Sequence, residues 1–240
     1  GYPCDLSKIM KFCKKNKIKV IEDCAHALGT KIKNKHAGNF GISGIFSFYP
    51  TKQISTGEGG AVITNDKNIY QKIKTLKAFG IDTDIKNRKK PGEYDVKSLG
   101  YNFRMTDFQA ALGYQQIRDY KKNLQRRHFL AKQYIKNLSK NNNIQFTEYS
   151  KNASYFVFQI FLKNRDHLLE KFKANKIGVS IHYLKPLNLM SYYRNKYNYL
   201  SKDFKNSILF GKTNISLPIY PKLKISELNK ICKILIKFSQ

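Results

Sequence analysis

The sequence has 240 residues, is 41% hydrophobic and carries a net charge of +29, enough for one large domain or one and a half with a real core. No apolar run approaches a membrane span, the start has no signal-peptide pattern, and the four cysteines form neither a C-x-x-C pair nor a zinc-spaced cluster with histidine, so neither a membrane partner nor a metal is expected. The charge fits a nucleic-acid partner in isolation, but it comes from 38 lysines against seven arginines, scattered along helical stretches, and reads as a solvated surface with no nucleic-acid partner.

In chain order, "GYPCDLSKIM" predicts a turn and then a helix over 5–16, with Asp5 as its N-cap. Ile18 to Ile21 is a short β-branched run that ends in Glu22 and Asp23, followed by a turn closing at Gly29. Acids at the end of a strand sit where α/β folds bind ligands. Strands are predicted over 44–50, stopped by Pro50, and over 59–66; a helix covers 67–79. The polar segment 81–100 reads as a long loop, of the kind that often carries function. A long helix runs from Thr106 to Leu138, with a bend or break expected near Asp119. After residues 139–143 the character changes: a strand at 154–162, a helix at 165–178, strands at 179–184 and 214–220, and a closing helix at 225–238. The expected division is therefore 1–138 and a small α+β domain over 139–240. Four cysteines outside paired motifs suit a reducing, cytoplasmic setting.

The chemistry-bearing residues cluster early. Asp23 lies just past a strand, Ser47 and Lys52 flank the end of another in "FSFYPTKQISTGEGGAV", and Asn102 sits in "GYNFRM" before the long helix. Each has a plainer reading taken singly. Lys52 is then one more solvated lysine, Asp23 a strand-end acid or cap, and Asn102 a loop-capping residue. The glycines at 57, 59 and 60 fit a tight turn better than a phosphate cradle.

Taken together, "GYPCDL", "VIEDCAHALG", "FSFYPTKQISTGEGGAV", "LGYNFRMTDFQAALGYQQI", "IHYLKPL" and "ISLPIYP" resemble, in this order, the DegT/DnrJ/EryC1/StrS family of sugar aminotransferases. These are pyridoxal-phosphate (PLP) enzymes of fold type I, the aspartate aminotransferase-like α/β fold. The resemblance implies that 1–138 is the C-terminal part of the large PLP-binding domain with its connecting helix, and 139–240 the small C-terminal domain. It implies that Lys52 links the cofactor and shuttles a proton. Asp23 would pair with the pyridine nitrogen, His26 would lie near the ring, and Ser47 would donate to the phosphate. Asn102 would reach the phosphate in the partner's site of a homodimer with shared active sites. Glu22 would be structural. Arg104 would contact an acidic amino donor or pair with a local acid; His182, in "IHYLKPL", would face the sugar or be a half-buried strand histidine.

The implied reaction moves an amino group from an amino acid, glutamate by preference, to a nucleotide-linked keto-deoxy sugar, at carbon 4 or alternatively carbon 3. The family's dehydratase branch lacks the cofactor-linking lysine, so Lys52 stands against it. The family's front portion, with further phosphate donors and a ring-stacking aromatic, has no counterpart here. An N-terminally truncated member is expected, which would not supply the whole pocket alone.

Overall fold

Aspartates start the first two helices of the computed structural model, which describes residues 1–83 and 85–239. Asp5 accepts from the Lys8 N–H at the head of α1 (Leu6–Lys15), and Asp66 accepts from the Asn68 and Ile69 N–H groups at the head of α2 (Lys67–Leu76). These bonds fill donors that a helix leaves open at its N-terminus. The chain forms two compact units, Gly1–Lys121 with Asn152–Ser154, and Lys122–Lys151 with Tyr155–Gln240. The change of unit falls inside α3 (Asp107–Leu138), whereas the sequence pattern changes character only after Leu138.

In the first unit, β1 (Ile21–Asp23) leads to a hairpin of β2 (Lys31–Ile32) and β3 (Lys35–His36). Next comes β4 (Ser43–Ser47), parallel to β1, and β5 (Gly60–Ile63), antiparallel to β4. The register sets Asp23 beside Ile45, and Ile45 beside Val62. Glu22 fixes the approach to β4. Its buried carboxylate accepts from the N–H groups of Gly38 (2.7 Å), Phe40 (2.6 Å) and Gly41 (2.8 Å). Gly44 is required in β4, because a Cβ there would lie 2.4 Å from the Gly38 Cα.

The predicted loop 81–100 closes on itself. Gly80, at φ +75°, runs against the far end of the loop so closely that a Cβ would lie 1.8 Å from the Ser98 carbonyl oxygen. Lys97 and Asp82 pair across the neck at 3.1 Å.

The second unit holds an antiparallel sheet of β6 (Gln145–Phe146), β7 (Phe158–Phe161) and β8 (Asn214–Leu217), in that order. Its helices are α4 (Arg165–Ala174), α5 (Ser191–Tyr197), α6 (Lys205–Thr213) and α7 (Ile225–Phe238); α4 packs against α7. Leu130, Ala131, Tyr134 and Leu138 recur at helical spacing along α3 and are fully buried. Tyr134 stacks on Phe158 and donates to the Pro218 carbonyl at 2.8 Å. The buried Arg127 guanidinium donates to the carbonyls of Tyr155 and Ile219. Along the start of α3, by contrast, Phe108, Leu112 and Tyr114 are exposed.

Two expectations need correction. The long helix is continuous through Asp119: no Pro or Gly interrupts residues 114–138, and Gln115 donates to Asp119 one turn on, at 3.1 Å. The strand expected at 179–184 is reduced to a single bridge between Ser180 and Ser216. The His182 N–H is taken by the Asn214 side chain instead of extending the ladder.

Candidate active site

The site grows from the C-terminal ends of the parallel pair β1 and β4. Asp23 closes β1, and its Oδ1 accepts from the Ala25 N–H at 3.0 Å, which starts the turn carrying His26. Its other carboxylate oxygen makes no hydrogen bond to the described residues, and the residue is exposed. Ser47 ends β4, and its hydroxyl oxygen receives the Tyr49 N–H at 3.4 Å, leaving the O–H free to donate. Beyond it, the Lys52 N–H donates to the Tyr49 carbonyl at 2.9 Å and closes a turn around Pro50 and Thr51. That turn brings the half-buried Lys52 Nζ to 2.7 Å from His26 Nε2, and the two share a hydrogen bond.

The glycine turn behind Lys52 is a backbone necessity. Gly59 has φ +146°, and a Cβ on it would meet the Thr56 hydroxyl at 2.7 Å and the Met105 methyl at 2.8 Å. Gln109, in the first turns of α3, donates to the Glu58 carbonyl at 3.0 Å and anchors this turn. Cys24 is buried under the site; burial, with Glu22 and Asp23 adding their charge, pushes its thiol up to about 11.

Asn102 and Arg104 lie on a neighbouring segment of the same unit. Asn102 bridges to Ala78, Arg104 Nε donates to Asn102 Oδ1 at 3.1 Å, and the guanidinium stacks over Phe79 at 4.8 Å. Both side chains are exposed. Among the described residues the polar partner of the Arg104 guanidinium is the Asn102 amide.

His182 belongs to the second unit. Its Nδ1 lies 2.9 Å from the Ser216 hydroxyl, its backbone carbonyl accepts from Gln159 at 2.8 Å, and Phe156 packs edge-on to its ring. Beside it opens a cavity of about 930 Å³ walled by Tyr183, Leu187, Asn188, Met190 and Phe210. The Asn188 amide nitrogen is buried there with no hydrogen-bond partner among the described residues. The sequence singled out His182 but not Asn188 or Phe210, which only the fold of α6 and the 182–190 segment bring together.

Ser154 and Gln53 were also not singled out from the sequence. Ser154 is fully buried and touches both turns of the site, through a pairing of positions about a hundred residues apart that no local pattern signals. Among the described residues no group of three or more His, Cys, Asp or Glu side chains is arranged to hold a metal, and no helix is long and apolar enough to cross a membrane.

UDP-4-amino-4,6-dideoxy-N-acetyl-beta-L-altrosamine transaminase of Campylobacter jejuni is 32% identical over 234 residues, covering 95% of this chain and 60% of that protein. GDP-perosamine synthase of Escherichia coli O157:H7 is 32% identical over 244 residues, covering 99% of this chain and 63% of its own length. Among solved structures, Helicobacter pylori PseC, an aminotransferase involved in the biosynthesis of pseudoaminic acid, matches with a TM-score of 0.90 at 28% identity, over 98% of this chain and 63% of that one. The chain thus spans 60 to 63% of the length of these relatives. The family model for DegT/DnrJ/EryC1/StrS aminotransferases matches residues 1–236. With fold and family match in agreement over nearly its whole length, the chain belongs to the DegT/DnrJ/EryC1/StrS aminotransferase family.

Proposed function

We propose that the protein is a PLP-dependent aminotransferase that moves an amino group from glutamate to carbon 4 of a nucleotide-linked keto-deoxy sugar. The observation that carries this reading is the Lys52 amine held 2.7 Å from His26 at the end of the parallel strand pair that also ends in Asp23 and Ser47. Aminotransferases of this family use PLP, and the donor set fits it: an amine for its aldehyde, a carboxylate for its ring nitrogen, a hydroxyl for its phosphate. When bound, the cofactor supplies a reactive carbonyl and a ring that stores an electron pair.

The chain's own groups divide the remaining work. The Lys52 amine is the covalent anchor and, once released, the base that takes and returns a proton at Nζ. The Asp23 carboxylate, already oriented by the Ala25 N–H, accepts from a protonated ring nitrogen and keeps it charged. Ser47 donates its free O–H to phosphate. His26 holds the Lys52 amine in place and borders the ring. Asn102 of one protomer completes the phosphate site of its partner, and Arg104 beside it is available to an acidic amino donor. The exposed apolar side chains of Phe103 and Phe108 on the same unit support such a homodimer. His182 and the cavity beside it support a sugar-facing role for that segment. Carbon 4 is favoured because the altrosamine-forming relative carries a 4-amino sugar in its name. Four free cysteines accord with a cytoplasmic enzyme.

Incubation with PLP, reduction with borohydride and peptide mapping tests the reading, with the other 37 lysines as internal controls. Selective modification of Lys52 is expected. Scattered labelling, in this chain and in one extended to the length of its relatives, refutes it.

A further inference from the structure

We propose that Ser154 is a positioning residue that holds His26 against Lys52. Its hydroxyl donates to the His26 carbonyl at 3.0 Å, and its carbonyl accepts from the Gln53 side-chain amide at 2.8 Å. One buried residue therefore bonds to the backbone of the residue that contacts the lysine amine, and to the residue next to that lysine. Ser154 is itself fixed from behind: its N–H donates to the Gly1 carbonyl at 3.0 Å, and two residues earlier the Asn152 carbonyl accepts from the Lys31 N–H at 2.9 Å. The Gly1 carbonyl also receives the Thr30 hydroxyl at 2.7 Å.

The geometry makes the His26–Lys52 distance depend on this link. His26 lies in a turn and Lys52 in another, and neither belongs to a strand or helix that would hold it rigidly. The turn of His26 is tied by the Asp23 carboxylate at its start and by Ser154 at its centre. The turn of Lys52 is tied by the Tyr49 carbonyl and, through Gln53, by the same serine. Loss of the serine hydroxyl removes one tie from the first turn, where the Ala27 N–H still donates to the Cys24 carbonyl at 2.9 Å, and loss of the Gln53 amide removes one tie from the second, where the Lys52 N–H still donates to the Tyr49 carbonyl. Both losses loosen the same contact. A lysine amine held in a hydrogen bond and half buried is shielded from reagents, so loosening it raises its reactivity.

The inference rests on the proposed function only for the importance of Lys52, and its test needs no cofactor. The purified protein, stripped of any bound aldehyde, is treated with a limiting acetylating reagent, and Lys52 modification is read by mass spectrometry relative to the other lysines. Ser154→Ala and Gln53→Leu are each expected to raise relative Lys52 labelling roughly two- to tenfold, the span of one ordinary hydrogen bond. Ser154→Thr keeps the hydroxyl and stays at the wild-type ratio. Tyr134→Phe removes a buried hydrogen bond from the second unit; it lowers the melting temperature and leaves Lys52 labelling unchanged. The proposal is overturned if Ser154→Ala and Gln53→Leu lower stability while Lys52 labels as in wild type, or if Tyr134→Phe raises it equally. Should Ser154→Ala not fold, Gln53→Leu decides, since its side chain is only half-buried. A negative borohydride test with a positive labelling test would reject the cofactor and keep the clamp.

Discussion

Replacing Glu22 by glutamine tests whether the first sheet is organised by a buried carboxylate. Three backbone donors converge on its two oxygens at 2.6 to 2.8 Å, two of them on Oε1 and one on Oε2. Bonds this short to a carboxylate are charge-assisted, and each is worth about 1.5–3 kcal/mol. Glutamine can serve the Phe40 and Gly41 donors with its oxygen, but then turns an NH₂ group towards the Gly38 N–H. One bond is lost outright, and two fall from charged to neutral strength, a loss of about 1 kcal/mol each. The sum is about 3.5–5 kcal/mol, a large part of the ~5–15 kcal/mol of a whole domain. Urea unfolding followed by far-ultraviolet circular dichroism measures it as a shift of midpoint at unchanged slope. A loss below about 1 kcal/mol would show that these donors do not depend on a carboxylate.

Two further perturbations probe other parts of the fold. The Cys24 and Cys232 thiols are both pushed up to about 11 from 9.0, in each case first by burial. Their contribution to stability is whole below pH 9 and lost as pH rises towards 11, because the unfolded chain ionises first. Thermal melts from pH 8 to 11 should therefore fall more steeply for wild type than for a Cys24→Ala/Cys232→Ala double variant; parallel curves would contradict the assignment. Gly80→Ala forces a Cβ to 1.8 Å from the Ser98 carbonyl at a φ of +75°. It should open the 81–100 loop and speed tryptic cleavage at Lys86, Arg88 and Lys89 several-fold. Cleavage at the wild-type rate would mean the crossing is not what closes the loop.

The sequence was most legible where chemistry and local pattern coincide. The closing helix at 225–238 follows from helical periodicity and the family from motifs in order, whereas the first two strands were legible only in place: β1 shares just Ile21 with the β-branched run 18–21, and β4 ends at Ser47, three residues short of Pro50. Legibility failed where long-range pairing decides. The Asn214 side chain takes the N–H that a strand through His182 needs, and nothing near residue 182 announces a partner 32 residues on. The hairpin at 31–36 is set by two positive-φ residues, Lys33 and Asn34, in place of the usual glycine. The break expected near Asp119 had no Pro or Gly behind it, and the α3 backbone continues through. At the site, the motif pointed to Lys52 and His26 separately; their 2.7 Å contact needed the fold.

The return of Asn152–Ser154 to the first unit has a consequence for how the protein is made. Synthesis proceeds from the N-terminus, and domains generally fold as they emerge. The first unit is not finished when Lys121 leaves the ribosome, because thirty residues, 122–151, must follow before its last three arrive. Until then the turns of His26 and Lys52 lack their shared tie, and the nascent chain carries an unfinished site. A gene split at the junction between residues 121 and 122 would put that tie on a separate chain.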